Sequence, residues 1–167
     1  MKKIILVSLL LMVSLVGFAQ KGRHAVGVDV AMKAYDAGHD EIFGMFGGLF
    51  FGVKYQYNFH DYFRVEPSYQ RKQDDKAGYT DIFGVNLHGF FMSPRPFRPY
   101  AFIGVGGGQA EYDLPDATYN KYDETEFYMQ AGVGVDWRIG YRLSWQLEVG
   151  GNISIAPIIS TGLTYGF

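Results

Sequence analysis

The sequence contains no cysteine, which excludes disulfide bonds, thiolate metal sites and cysteine nucleophiles. It also lacks a charge imbalance, because 15 lysines and arginines face 17 acidic residues, unlike the basic surface that binds nucleic acid. Beyond the N-terminal stretch, no apolar run reaches the length of a transmembrane helix, about 20 residues. No segment has the pattern of a long amphipathic helix. The chain is therefore not predicted to bind nucleic acid, to contain disulfides or to cross a membrane with helices.

Residues 1–19 have the features of a secretory signal peptide. Two lysines precede an apolar run over residues 4–16, and a Gly-Phe-Ala tripeptide then supplies small residues for cleavage between Ala19 and Gln20. An uncleaved membrane anchor is the alternative, but the run is short for a spanning helix. Residues 20–167 then form a single domain. An exported domain of this size without disulfides needs another source of stability, and membrane insertion would supply one.

Glycine and aromatic residues are abundant, and they follow a two-residue period. There are 22 glycines, and aromatic residues make up 17% of the chain. In the segment Glu126–Gly150, every second residue from Phe127 to Ile139 is apolar, and so is every second residue from Leu143 to Val149. Successive side chains of a strand point to opposite faces, so this segment is predicted to be a hairpin with one apolar and one polar face. Its arms are long enough to cross a bilayer when tilted, about 9–11 residues each.

The same alternation divides the whole domain into eight segments, which predicts an all-β, eight-stranded, antiparallel up-and-down transmembrane β-barrel. The predicted strands are roughly 25–34, 44–57, 62–72, 79–92, 100–112, 126–139, 142–150 and 158–167. Pro67 interrupts the third strand and predicts a bulge. The connections after strands one, three and five are polar and predicted to be longer. Those after strands two, four and six are predicted to be tight.

The glycines decide which face of the barrel points inward. They concentrate on the polar face, for example at Gly104, Gly132 and Gly134, whereas the other face carries large apolar side chains. Glycine weakens a strand unless space is tight, and the interior of a narrow barrel is such a place. A soluble barrel would instead place its apolar face inside. The pattern therefore favours a membrane barrel with its apolar face toward lipid.

Three segments resemble those of small outer-membrane β-barrel proteins, the OmpA transmembrane domain and the OmpX group. They are Pro99–Gly108, Gly132–Trp137 and the terminal Tyr165-Gly166-Phe167. The resemblance implies the outer membrane of a Gram-negative-type bacterium, with outer-membrane lipid as surroundings, extracellular loops and periplasmic termini. It also implies that Tyr165 and Phe167 in the last strand form the signal recognised by the barrel-assembly machinery. The resemblance does not extend to the peptidoglycan-binding domain of the larger OmpA architecture, so it does not imply anchoring to the cell wall.

Charged residues on the polar face form a predicted lumen network. They are Asp29, Lys33, Lys54, Arg64, Glu66, Asp136, Arg138, Arg142 and Glu148. Their signs are mixed, as expected for paired charges that plug an eight-stranded barrel, whose interior is just wide enough for side chains. The alternative is a small-solute channel lined by the same groups.

The connection between strands five and six carries six acids and one lysine between Glu111 and Glu126, interleaved with tyrosines. It is either a solvated loop or a binding site for a host or cell-surface ligand. A lipid-modifying enzyme needs a histidine-activated serine, and only His39 and Ser154 offer such a pair, in two different loops. No catalytic residue, cofactor or metal is predicted, and no calcium-loop spacing is present. The predicted role is structural or adhesion-type, through the loops.

Overall fold

The computed structural model describes residues 23–34, 46–74, 78–92, 96–112, 122–152 and 155–167, and in these it forms a closed barrel. The strands are β1 (His24–Ala34), β2 (Phe46–His60), β3 (Phe63–Asp74), β4 (Gly78–Phe90), β5 (Phe97–Tyr112), β6 (Tyr122–Arg138), β7 (Leu143–Asn152) and β8 (Ile155–Gly166). Each strand pairs antiparallel with its neighbours, and β8 returns to pair with β1. The predicted eight-stranded up-and-down barrel is thus confirmed. Within the described ranges, no helix is long and apolar enough to cross a membrane.

Side chains alternate between an exposed apolar face and a buried polar face. On β1, Val28 is 60% exposed, whereas its neighbour Asp29 is 6% exposed. On β2, Phe51 and Val53 are exposed while Lys54 is buried. A barrel in water would bury the apolar set, because apolar surface is driven away from water. The apolar face therefore points outward, as the position of the glycines predicted.

Inward-pointing glycines make room for two aromatic rings of β5. A Cβ atom added at Gly134 would lie 2.7 Å from Cζ of Tyr100, and one added at Gly150 would lie 2.8 Å from Cζ of Phe102. Both rings are buried, at 0% and 6% exposure. Tyr100 pairs with Gly134 and Phe102 pairs with Gly132, which in turn pairs with Gly150, so glycine is required where these rings lie along the inner wall. Large rings from one strand fill the space that glycines leave on the others.

The connections lie at two ends of the barrel. At one end, here called the turn end, lie residues 61–62, 91–92 and 139–142, together with both termini of the described barrel. At the other, the loop end, four pairs of strand ends lie together, which are Ala34 and Phe46, Asp74 and Gly78, Tyr112 and Tyr122, and Asn152 and Ile155. The prediction of a longer connection after the third strand was wrong, because β3 and β4 stay paired up to Asp74 and Gly78.

Pro67 does not form the predicted bulge. It pairs with Val85 of β4 in a continuous register, and the register between β2 and β3 is the same on both sides of it. The β2–β3 ladder skips Tyr55, which lies opposite Pro67, and the next residue, Gln56, before it resumes at Tyr57. Proline has no backbone N–H, so the Tyr55 carbonyl loses one ladder donor while the chain keeps its alignment. The irregularity of β2–β3 register lies instead between Tyr57 and His60.

Candidate functional site inside the barrel

Arg64 of β3 connects side chains from three other strands. Its Nη1 donates to Oδ2 of Asp136 at 2.9 Å and to Oε1 of Gln56 at 3.1 Å, and its Nη2 lies 3.1 Å from Nδ1 of His88. Arg64 is only 1% exposed. A buried charge must be paired and hydrogen-bonded to be tolerated, and the guanidinium, with its fixed fork of donors, meets this need across the barrel.

Asp136 of β6 accepts from two arginines. In addition to Arg64, Nη2 of Arg98 donates to its Oδ2 at 3.0 Å, and Nε2 of Gln146 approaches the same oxygen at 3.4 Å. Both cations also lie over the ring of Phe90, with its centroid 4.9 Å from Arg64 Cζ and 4.3 Å from Arg98 Cζ. The negative face of the ring attracts both guanidinium groups. One carboxylate and one ring thus hold two arginines together.

Glu66 occupies the same strand as Arg64, two residues further on. It accepts a hydrogen bond from Nε2 of Gln56 at 2.6 Å. Its other oxygen lies 3.9 Å from Nζ of Lys54 and 3.7 Å from Nε2 of His88. Because Lys54 is buried, its charge is compensated inside the barrel by this carboxylate rather than by water.

Glu148 of β7 closes the network on the opposite wall. The hydroxyl of Tyr100 donates to its Oε1 at 2.5 Å, and the hydroxyl of Ser160 donates to its Oε2 at 3.0 Å. Tyr100 also lies with its ring centroid 4.9 Å from that of His88. The aromatic ring that fills the space beside Gly134 therefore also anchors a carboxylate.

Glu66, His88 and Glu148 form a cluster whose ligand-type atoms lie within 4.8 Å of one another. All three side chains are buried, and Nε2 of His88 has no hydrogen-bond partner within the described residues. Nη2 of Arg64 can only donate, so Nδ1 of His88 is the acceptor and the ring proton is on Nε2. A metal ligand needs a free lone pair on the facing nitrogen. The arrangement therefore fits a hydrogen-bonded network better than a metal centre.

Polar pairs continue the interior toward the loop end. Nε2 of Gln70 donates to Oδ2 of Asp29 at 2.5 Å, and Nε2 of Gln130 donates to Oδ1 of Asn86 at 2.6 Å. Oδ1 of Asp29 is buried without a hydrogen-bond partner within the described residues. These pairs join β1 to β3 and β4 to β6, so polar contacts occupy several levels of the interior.

The structure brings most of the predicted lumen residues inside the barrel. Those with buried side chains are Asp29, Lys54, Arg64, Glu66, Asp136 and Glu148. The side chain of Lys33 lies outside the described residues. The prediction for Arg138 and Arg142 was wrong, since both are exposed. Arg138 is the last residue of β6, and Arg142 precedes the first residue of β7. Both therefore lie at the rim of the barrel, where the strands no longer cover them.

Sequence reasoning missed Arg98 as a lumen cation. The fifth strand was predicted to begin at residue 100, but β5 already begins at Phe97, and Pro99 pairs with Val135. The signal was present, because Arg98, Tyr100 and Phe102 continue the two-residue period of the glycines that follow. The uncharged network members Gln56 and Gln146 were also missed, because the prediction used charged residues and the sequence does not distinguish these glutamines from other polar residues of the inward face.

His39 and Ser154, the histidine and serine that could form a catalytic pair, lie outside the described residues, and so do all side chains from Glu111 to Glu126. Of the other histidines, His60 is exposed and accepts from the Tyr62 amide at 3.2 Å. His24 packs on the outer face, where its Nδ1 contacts the Tyr55 hydroxyl. No serine hydroxyl bonds a histidine among the contacts of the described residues.

Solved structures of outer-membrane barrels share this fold. The N-terminal barrel of Pseudomonas aeruginosa OprF aligns with a TM-score of 0.67 at 14% identity, over 88% of this chain and 100% of that one. Neisserial surface protein A aligns with a TM-score of 0.66 at 16% identity, over 89% and 100%. Ail, the attachment invasion locus protein of Yersinia pestis, gives 0.57 at 14% identity, over 88% and 98%. Another structure of Ail is a complex with the heparin analogue sucrose octasulfate.

No curated protein matches this sequence. A family model does match, the outer membrane protein beta-barrel domain, over residues 5–166. This range includes all eight strands, and the outward apolar face and the closed sheet are the features that such a family requires. The chain therefore belongs to the outer-membrane protein β-barrel domain family.

Proposed function

We propose that the protein is a non-enzymatic outer-membrane barrel that meets a ligand through its loop end, while its interior is closed by the charged network. In this proposal the loop end is extracellular, and both termini are periplasmic after removal of residues 1–19. The observation that carries it is the packing of the interior. The largest fully buried side chains are Arg64, Tyr100, His88, Gln146 and Glu66, contributed by four strands.

The network supports a closed interior through its energetics. Arg64 and Asp136 bond each other directly, and Glu66 bonds Gln56 at 2.6 Å. To open a water-filled channel, these paired side chains would have to separate or to move against the rings of Tyr100 and Phe102, which are held beside inward-facing glycines. Breaking a buried ion pair by loss of one partner costs about 3–5 kcal/mol. Structural support for the wall is therefore a sufficient role for these charges.

Conductance in planar bilayers tests the closed interior. The refolded chain is expected to give no discrete current steps, whereas a variant with Tyr100→Ala and Phe102→Ala, which lacks two interior rings, is expected to give them. The exposed outer-face variant Val105→Ala serves as the matched control. Steps from the wild-type protein that disappear when an interior charge is changed would favour the small-solute channel instead.

The acidic stretch from Glu111 to Glu126 supports a ligand with basic groups. It carries six carboxylates and one lysine, and complementary charge accelerates association and selects partners. The ligand in the Ail complex, sucrose octasulfate, is a polyanion. The acidic stretch of this chain would repel such a ligand. We therefore propose a basic cell-surface or host protein as the ligand class, recognised by this acidic stretch, which comprises the last residues of β5, the connection and the first residues of β6.

Binding to basic surfaces tests this ligand class. The assay measures adhesion of whole cells that carry the protein to a surface coated with basic peptide. Adhesion is expected to be lost when four acids are changed to their amides, namely Asp113, Asp116, Asp123 and Glu124. The amide changes at Asp36, Asp40 and Glu41 in the other long connection provide the control. Binding should also weaken steeply with salt. Equal loss in both variants, or binding that persists in the first, would refute a role for this stretch.

Two remaining aspects of the proposal have separate tests. Mass spectrometry of lipid A from cells with and without the protein is expected to show no difference, and a modified lipid A would establish the lipid-modifying alternative. N-terminal sequencing of the mature protein is expected to begin at Gln20. A mature chain that keeps its first residues would support the membrane-anchor alternative.

A further inference from the structure

A shallow apolar trough crosses the outer face of five neighbouring strands. It has a volume of about 760 Å³ and is lined by residues of β7, β8, β1, β2 and β3. The strands are spaced about 4.8 Å apart, so four spacings give the trough a length of about 19 Å. This is comparable to the hydrocarbon depth of one leaflet, about 15 Å.

Valines form much of the floor of the trough, and aromatic side chains flank them. Val28 pairs with Val53 across β1 and β2, and Val26 pairs with Tyr55, which also lines the trough. Tyr165 pairs with Val26 on one side, and Tyr69 pairs with Val53 on the other. The floor lies on the outward face that the family places against lipid, so an acyl chain can fill it without displacing any side chain.

One edge of the trough carries a cation. Nη1 of Arg142 donates to the hydroxyl of Tyr165 at 3.2 Å, and both Tyr165 and Leu143, the residue after Arg142, line the trough. Arg142 is exposed. No carboxylate lies within 4.0 Å of it among the described residues, so the other donors of its guanidinium fork can meet a phosphate, which matches that geometry.

We infer that the trough binds one glycerophospholipid, with its phosphate on Arg142 and one acyl chain along the valine floor. Charge complementarity and length both select this occupant. Arg142 lies at the turn end, so this inference rests on the proposed orientation, in which that end faces the periplasmic leaflet. A second copy of the chain would fill the trough with side chains but would leave the guanidinium without an anion.

Native mass spectrometry of the refolded full chain in detergent micelles tests the site, with palmitoyl-oleoyl phosphatidylethanolamine as the probe. The wild-type barrel is expected to retain one lipid. Arg142→Gln is expected to weaken retention about tenfold, the size of one charge-assisted hydrogen bond. Arg138→Gln, an exposed arginine at the same end but outside the trough, is expected to bind like the wild type. Equal effects of the two changes would overturn the phosphate site.

A second pair of variants tests the floor. Val28 is 60% exposed within the trough and Val105 is 57% exposed outside it. Val28→Phe is expected to abolish retention, and Val105→Phe to leave it unchanged. Heat-modifiable gel mobility confirms that each variant is folded. If lipid A is retained in place of the phospholipid, or if both phenylalanine variants behave alike, the inference fails. Neither outcome bears on ligand binding at the loop end.

Trp145 supplies an independent readout, since it pairs with Leu163 of the trough. In a Trp137→Phe background, a phospholipid brominated on one acyl chain is expected to quench the fluorescence of Trp145 at about one lipid per barrel. With Arg142→Gln the quenching should require about ten times more lipid. If the quenching depends only on the total lipid content of the micelle, and is the same with and without Arg142→Gln, a defined site is contradicted.

Discussion

The guanidinium of Arg64 donates to the carboxylate of Asp136 across 2.9 Å, and the two side chains are 1% and 3% exposed. Their residues lie on β3 and β6, far apart in the sheet, so the bond crosses the interior. Arg98 donates to the same Asp136 oxygen at 3.0 Å. The barrel wall is thus braced from inside by a contact that the register of neighbouring strands does not provide.

Loss of Arg64 is expected to destabilise the barrel strongly. Arg64→Met leaves Asp136, Gln56 and His88 each with one partner fewer, and removal of one member of a buried pair costs about 3–5 kcal/mol. Unfolding in urea from lipid vesicles, followed by tryptophan fluorescence, measures the change. Arg138→Met, at an exposed arginine, should shift the free energy of unfolding by less than about 0.5 kcal/mol. Equal shifts for both variants would contradict a structural role for the network.

Pro67 offers a prediction about a single backbone bond. In Pro67→Val the new amide is expected to donate to the Tyr55 carbonyl and to exchange slowly with deuterium, as the paired amides of β3 do. Stability should change little, because a hydrogen bond gains about 0.5–1.5 kcal/mol while loss of proline rigidity costs about 0.4–1 kcal/mol. Rapid exchange at residue 67 would show that β2 and β3 are separated there for another reason.

The sequence predicted the strands well because each one must satisfy lipid on one face and a narrow interior on the other. That double demand makes the alternation visible, as for Val28 beside Asp29. The alternation does not show at which height along the barrel axis an inward-pointing residue lies. Arg138 and Arg142 are charged residues of the polar face, as the network members are, but they lie at the ends of strands. Arg98 was missed because it precedes residue 100, where the fifth strand was predicted to begin. Pairing across the interior depends on strand tilt, which alternation alone does not reveal.

Phe167 is expected to matter for assembly more than for stability. Its amide donates to the His24 carbonyl at 2.9 Å, a bond that any residue can make. Its ring stacks on that of His24 at a centroid distance of 6.1 Å. Phe167→Ser should therefore lower the amount of folded protein in the outer membrane of cells, measured by heat-modifiable mobility. Refolding of the purified variant into vesicles should remain close to that of the wild type. Parallel loss in both assays would assign Phe167 a structural role.

Gly134 and Tyr100, which pair on the neighbouring strands β6 and β5, predict a size-dependent coupling between these strands. A Cβ at Gly134 would lie 2.7 Å from Tyr100 Cζ and 2.8 Å from the Leu147 carbonyl oxygen. Gly134→Ala is thus expected to destabilise the barrel by about 1–3 kcal/mol through overpacking. Gly108→Ala is the control, because its Cβ would meet only the Asp81 carbonyl oxygen at an ordinary 3.7 Å.

Tyr100→Ala removes the ring and should itself destabilise, since it also removes the donor to Glu148. In the double variant with Gly134→Ala, the two losses should be less than additive by about 0.5–3 kcal/mol, the range for residues in contact. Urea unfolding of the four proteins gives this coupling free energy directly. The coupling arises because the added methyl group loses its main steric conflict once the ring is gone, leaving only the contact with the Leu147 backbone. Strict additivity would mean that Gly134 is required by the backbone of β7 alone, and that the ring of Tyr100 moves aside at little cost.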